Sequence, residues 1–423
     1  MEGGLKGTPF KTTRTFRHQD RQRTILVPHI SEFITPLLPA LGEVAGYHLE
    51  ILPPSDAESA RIGLQYANNE VCYPATLIVG DIIRALQSRH YELNNTAVAM
   101  SQTGGQCRAT NYAGLIKRAM VQAGFSNVPL ITLGVTTNGN GANEQEGFDV
   151  SWRKIGPIVL STLIYADTIA KMYYAAAARC TVVGKAEALR DKYLHLAASS
   201  VRQRNTDKLL RLVANAASAF NMIAEDKPTR KVGIVGEIFL KFNHFAHQEI
   251  TTQLMARDIE VVPPLITPFF LQEFVNVERN REMGLPAPSV PMPLIKLLYD
   301  MARRRTDKFN RAASAFRYFQ PFGDIHEEAS LAEGIVSPAA QAGEGWLLPA
   351  EICALVESGV KNVISLQPFG CIANHVVSKG IERALLRRYP DLNLLSLDFD
   401  SGVSRVNVIN RLLLFIDKAK NNR

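Results

Sequence analysis

The sequence predicts an α/β protein made of two doubly wound, parallel-sheet domains joined by a helical segment. Three observations carry this expectation. Short β-branched runs alternate with helical runs in the first and last thirds of the chain, a long central stretch reads as helix alone, and 423 residues exceed the roughly 250–300 that one hydrophobic core sustains. Strands separated by helices of this length pair in parallel, because each helix carries the chain back to start the next strand in the same direction.

Residues 1–23 are polar, basic and aperiodic, and read as a tail or a partner-docking arm. The first α/β domain, 24–150, opens with a strand at 24–29. A helical run at 32–46, a strand at 48–52, a helix from near Asp56, a helix after Cys72, a strand at 97–101, a helix after Cys107 and a strand at 130–135 follow. The Gly- and Asn-rich segment 136–147 then breaks the pattern as a boundary loop. Residues 151–228 form the helical segment, with apolar Leu209, Leu212, Val213 and Ala216 at helical spacing. The second α/β domain, 229–423, has strands at 232–240, 259–262, 363–366 and 394–397. It also has a helical stretch at 269–319 and a closing helix at 403–419, and the two α/β halves read as possible distant duplicates.

Hydrophobic residues at 46% and charged residues at 21% are ordinary for globular proteins and exclude a disordered chain. No apolar run approaches the roughly 18 residues of a membrane span and no signal-peptide core opens the chain, so a cytoplasmic protein without membrane attachment is expected. The net charge of +7 sits largely in residues 6–23 and in patches such as Arg303, Arg304 and Arg305. No helix-turn-helix, zinc-finger or RNP-type pattern accompanies it, so no nucleic-acid partner is expected.

The five cysteines include no CxxC pair, so any metal site must be assembled by the fold. Cys72, Cys107 and Cys371 each follow turn-type or strand residues and open a helix: Pro74 suits a first helical turn, and apolar residues continue each helix. A helix start offers free amides and a partial positive charge, which is expected to lower a thiol's pKa. In an open parallel sheet, helix starts lie outside the carboxyl ends of the strands, where ligands bind. Spacing alone is equally that of small buried hydrophobes. Cys180 and Cys353 sit within helical stretches without turn chemistry and are read as structural.

The runs Tyr66 to Pro74, Ser101 to Tyr112, Gly233 to Ile238, Gly343 to Trp346 and Gln367 to Cys371 resemble, in order, the dehydratase-like portion of activators of 2-hydroxyglutaryl-CoA dehydratase. That portion is similar in turn to 2-hydroxyacyl-CoA dehydratase subunits. The resemblance implies a [4Fe-4S] cluster between the two domains on Cys72, Cys107 and Cys371, with Gly104 and Gly105 letting backbone amides approach it. It also implies reduction by an ATP-hydrolysing activase with its own iron-sulfur cluster, and ketyl-radical dehydration of an acyl-CoA by a lyase that works as a homo- or heterodimer. The chain carries no Walker A motif or activase-type phosphate loop, so ATP chemistry is expected in a partner. An electron-relay or scaffold subunit without a substrate is the alternative. A reductase related to double-cubane cluster proteins would need more thiolates than five cysteines offer.

Glu237, at a strand's carboxyl end, reads as a general acid or base or as a helix-capping carboxylate. His375, one turn after Cys371, can reach a cluster or substrate oxygen or lie on the helix surface. Glu344 can line the cleft, while Trp346 lines it or anchors a core. Arg108 and Lys379 are candidates for charge neutralisation, with solvated side chains as the plain alternative. Gly233 and Gly236 do not make a dinucleotide fingerprint, and residues 139–143 lack the Lys-Ser/Thr ending of a phosphate loop.

Overall fold

The computed structural model describes residues 13–68, 71–102, 107–134, 145 and 147–421. It contains two four-stranded, all-parallel sheets. The first has β1 (Thr24–Val27), β2 (His48–Ile51), β3 (Thr96–Gln102) and β4 (Leu130–Gly134), in the order β2-β1-β3-β4. Ile25 stands between Leu49 and Ala97 in register, and Val98 pairs with Leu130. Helix α1 (Leu38–Ala45) links the first two strands and ends at Gly46, whose φ of 85° only glycine adopts without strain. Helices α2 (Ala57–Tyr66) and α3 (Tyr73–Gln87) lead to β3, and α4 (Tyr112–Gln122) leads to β4. Asp56 caps α2 by accepting from the Glu58 and Ser59 amides at 2.9 and 3.0 Å, a bond pair worth about 1 kcal/mol.

α2 and α3 touch through glycines. A Cβ on Gly80 would fall 1.8 Å from the Ser59 carbonyl oxygen, and one on Gly63 would fall 2.0 Å from that of Thr76. Only hydrogen atoms fit there, so the two helices close backbone to backbone and fix the position of α3's first turn.

Three long helices follow: α5 (Trp152–Ala177), α6 (Lys185–Arg202) and α7 (Thr206–Ile223). They pack on one another and against the sheets. α5 is long and apolar enough to cross a bilayer, contrary to the expectation from sequence, but 72% of its apolar window is buried inside the protein. Arg179, just beyond α5, donates to Glu260 at 2.7 Å and to Thr229 at 2.8 Å, and this buried pair ties the helix to the second sheet.

That sheet has β5 (Arg230–Gly236), β6 (Ile259–Val262), β7 (Asn362–Pro368) and β8 (Asn393–Phe399), in the order β6-β5-β7-β8, matching the first. Its helices are α8 (Ile250–Met255), α9 (Thr267–Glu282), α10 (Met292–Ala313), α11 (Ile325–Ala332), α12 (Leu347–Glu357), α13 (Ile372–Val377), α14 (Glu382–Arg388) and the closing α15 (Arg405–Asn421). Among these, α8 fills the β5–β6 crossover and α9 to α12 fill the β6–β7 crossover. β5 stops at Gly236, short of the strand expected to reach 240. Gly236 has φ of 135°, and a Cβ there would fall 2.1 Å from the Leu366 carbonyl oxygen. Its role is this close approach to β7, and Gly233 packs under Leu355.

The described part of the expected tail is not a free arm. Phe16 is fully buried with Ile25, Tyr47, Ala97, Ala99 and Ile131, which removes a phenyl group worth about 1.5–3 kcal/mol from water. Buried Asp20 accepts from Arg14 at 2.8 Å and from Arg23 at 2.7 Å, so these basic residues are spent on structure. The boundary loop lies mostly outside the described residues, as do residues 139–143.

Candidate functional site

Both strand orders place a change of winding direction at the centre of the sheet, between β1 and β3 and between β5 and β7. In open parallel sheets the loops leaving such central strands at their carboxyl ends diverge, and ligands bind between them. Cys107 follows β3, Cys371 follows β7 and Glu237 follows β5. Cys72 opens α3, which runs back to the start of β3, so its first turn lies at the carboxyl edge as well. Pro74 occupies the first turn of α3, where its missing N–H is no loss.

The three cysteines meet across the two halves. The Cys72 thiol is 3.3 Å from the Tyr112 hydroxyl on α4. A Cβ on Gly343 would lie 3.8 Å from the Cys107 sulfur and 3.4 Å from the Ala373 methyl on α13. Gly343, from the second half, thus packs beside the Cys107 sulfur. Negative charge on Cys107 opposes ionisation of Cys72, and charge on Cys72 opposes that of Cys371. The Ala75 and Asn374 amides, in the first turns of α3 and α13, favour negative charge on the Cys72 and Cys371 sulfurs without making a cap hydrogen bond to them.

Two carboxylates share this space. Half-buried Glu237 accepts from the Phe239 and Leu240 amides at 3.1 and 2.8 Å, and buried Glu344 accepts from the Ile238 amide at 2.5 Å. Burial first, and the Glu344 charge second, push the Glu237 carboxyl up to about 8. Fully buried Lys241 donates to Glu351 on α12 at 3.2 Å and attracts negative charge on Glu237, Glu344 and Glu351 alike.

The thiols do not behave as helix starts alone would have them. Burial, reinforced by Glu237, pushes the Cys72 thiol up to about 12, and burial likewise raises Cys371. At both thiols desolvation is the largest effect and outweighs the amide dipoles, even at Cys72 where α3 is 15 residues long. Such thiols keep their protons until a cation displaces them, since a coordinated thiol is deprotonated outright.

The donor set suits a metal-sulfur group. It has three soft sulfur atoms, a hydroxyl beside one of them and a side-chain-free residue, Gly343, packed next to another. Among the described residues, no three His, Cys, Asp or Glu side chains stand close enough to grip one metal ion. The thiols span more space than a mononuclear site takes.

Around this centre the other expected residues divide. His375 lies on α13 with its Nε2 3.9 Å from Asp398 and its Nδ1 buried without a partner. Lys379 is paired with Asp398. Arg108 is exposed. Trp346 is a core anchor, fully buried and donating its indole N–H to Asn276 at 2.8 Å. Gly104 and Gly105 lie outside the described residues. Cys353 is buried in an apolar cluster, and Cys180, which follows α5 rather than lying within it, donates to the Val182 carbonyl. Sequence reasoning missed Tyr112, Lys241, Glu351 and Asn374. For Tyr112 and Asn374 a signal existed in their placement within or just past the recognised runs.

No protein-family model matches the chain, and no curated protein does.

Proposed function

We propose that the chain carries a [4Fe-4S] cluster on Cys72, Cys107 and Cys371 and acts as a 2-hydroxyacyl-CoA dehydratase-like component, reduced by a separate ATP-dependent activase. The observation that carries this reading is the meeting of three thiols from remote segments beside two carboxylates at the carboxyl edges of two parallel sheets. A cluster held by these cysteines would supply low-potential one-electron chemistry. The protein's own groups do the rest. Burial of Cys72 and partial burial of Cys107 and Cys371 limit water, and the Tyr112 hydroxyl orients the Cys72 sulfur. Glu237 retains a proton near neutral pH and serves as the acid for a leaving hydroxyl. Lys241 keeps that acid from being trapped among three carboxylates by holding Glu351.

Anaerobic purification with iron and sulfide quantitation tests the cofactor, with about four of each per chain expected and none in Cys72→Ala, Cys107→Ala or Cys371→Ala. A parent chain that holds no iron refutes the reading. A second reading, an electron-relay subunit, draws on the exposed Phe369, Ile372 and Val376 beside Cys371, which suit a docked protein better than solvent. Saturable binding of an acyl-CoA to the loaded protein decides for the dehydratase-like reading.

A further inference from the structure

Three residues after Cys371, Asn374 is fully buried, and both its side-chain nitrogen and its side-chain oxygen lack a hydrogen-bond partner. A carboxamide carries two donors and one acceptor oxygen, and burying all of them unmet is costly and rare in folded proteins. At a spacing of three in a helix, Asn374 shares a face with Cys371. Its backbone N–H lies in the first turn that Cys371 opens and favours negative charge on that sulfur, and its neighbour Ala373 faces Gly343 next to the Cys107 sulfur. Leucine or valine would fill such a position at no polar cost, as Val377 does one turn on.

We propose that the Asn374 side-chain amide contacts the group held by the three thiols, donating a hydrogen bond to one of its sulfurs. The inference rests on the reading of the site as an iron-sulfur centre. An N–H donor to sulfur stabilises the more negative, reduced state, so Asn374 raises the reduction potential of whatever cluster is bound. The donor is pre-positioned: it lies buried before loading, and loading supplies its partner.

The test compares Asn374→Leu and the isosteric Asn374→Asp with the parent, each purified anaerobically. Without metal, the Leu variant is expected to melt at or above the parent's Tm, because it removes an unmet polar group. With iron loaded, both variants are expected to show a midpoint potential shifted below the parent's and an altered electron paramagnetic resonance line shape. Loss of iron from either variant at unchanged metal-free Tm supports the same contact. If both variants load fully and keep the parent's potential and line shape, the inference is overturned while the cluster reading stands. A parent that binds no iron overturns both.

Discussion

The Cys72 thiol and the Tyr112 hydroxyl stand 3.3 Å apart, joining the first turn of α3 to the first residue of α4. Burial and the neighbouring thiols raise the phenol well above its usual range, so it stays a donor at any physiological pH. Tyr112→Phe keeps the ring packing and removes this one bond. A hydrogen bond to a charged sulfur contributes about 1.5–3 kcal/mol, so iron release to a chelator from the loaded variant should quicken roughly tenfold or more. An unchanged release rate would assign the hydroxyl to packing alone.

The Gly80 contact makes α3 sensitive to a single methyl. Gly80→Ala forces a Cβ into the Ser59 carbonyl and should cost about 2 kcal/mol or more, despite alanine's better helix propensity. Gly156→Ala, in α5 with nothing within 4 Å of its Cβ, should instead gain up to about 1 kcal/mol. Paired urea unfolding curves measure both, and a Gly80→Ala variant as stable as the parent would contradict the backbone-to-backbone packing.

His247 gives the protein an acid limit far from the cysteines. It is fully buried; its Nδ1 accepts from the Ile250 amide at 3.1 Å, and its Nε2 has no partner. Burial, with His244 close by, depresses its pKa to about 3. The unfolded chain, with a histidine near 6.5, therefore binds a proton that the folded one refuses between pH 6.5 and 3, and stability falls as pH drops through that window. At pH 5 the difference from this residue is about 2 kcal/mol. His247→Asn, which retains an acceptor for Ile250, should flatten the slope of unfolding free energy between pH 7 and 5 relative to the parent.

Arg179 and Glu260 form a buried pair that joins the helical segment to β6, with the guanidinium also 3.9 Å from the centroid of the Tyr318 ring. Arg179→Met leaves the buried Glu260 carboxylate with only Thr229 and Lys231, the latter at 3.9 Å, and should cost up to about 3 kcal/mol, whereas the double change Arg179→Met with Glu260→Leu should recover most of that loss. Thermal unfolding of the single and double variants gives the coupling.

The apolar runs at β1, β3, β7 and β8 were legible because buried parallel strands read as largely apolar stretches whatever surrounds them. Cys72 and Cys371 were legible as helix starts because Pro74 and Gly370 punctuate the chain locally. What escaped depends on contacts distant in sequence. Lys241 looks like any solvated lysine until α12 brings Glu351 to it. Phe16 lies in a basic stretch whose burial rests on Ile131 more than a hundred residues on. The direction of the thiol shifts was misjudged for the same reason: the amides beside Cys72 and Cys371 are local, but the burial that chiefly opposes ionisation, and the Glu237 and Glu344 charges that add to it, come from segments distant in sequence.

The placement of the cysteines also sets an order of events during synthesis. Cys72 and Cys107 emerge early and can settle into the first sheet while most of the chain is still unmade, but Cys371 follows β7, near the end. Domains fold as they leave the ribosome, N-terminal portions first. The three-thiol centre therefore forms only after nearly the whole polypeptide has been translated and its halves have closed, and its completion reports that the last sheet has been built correctly.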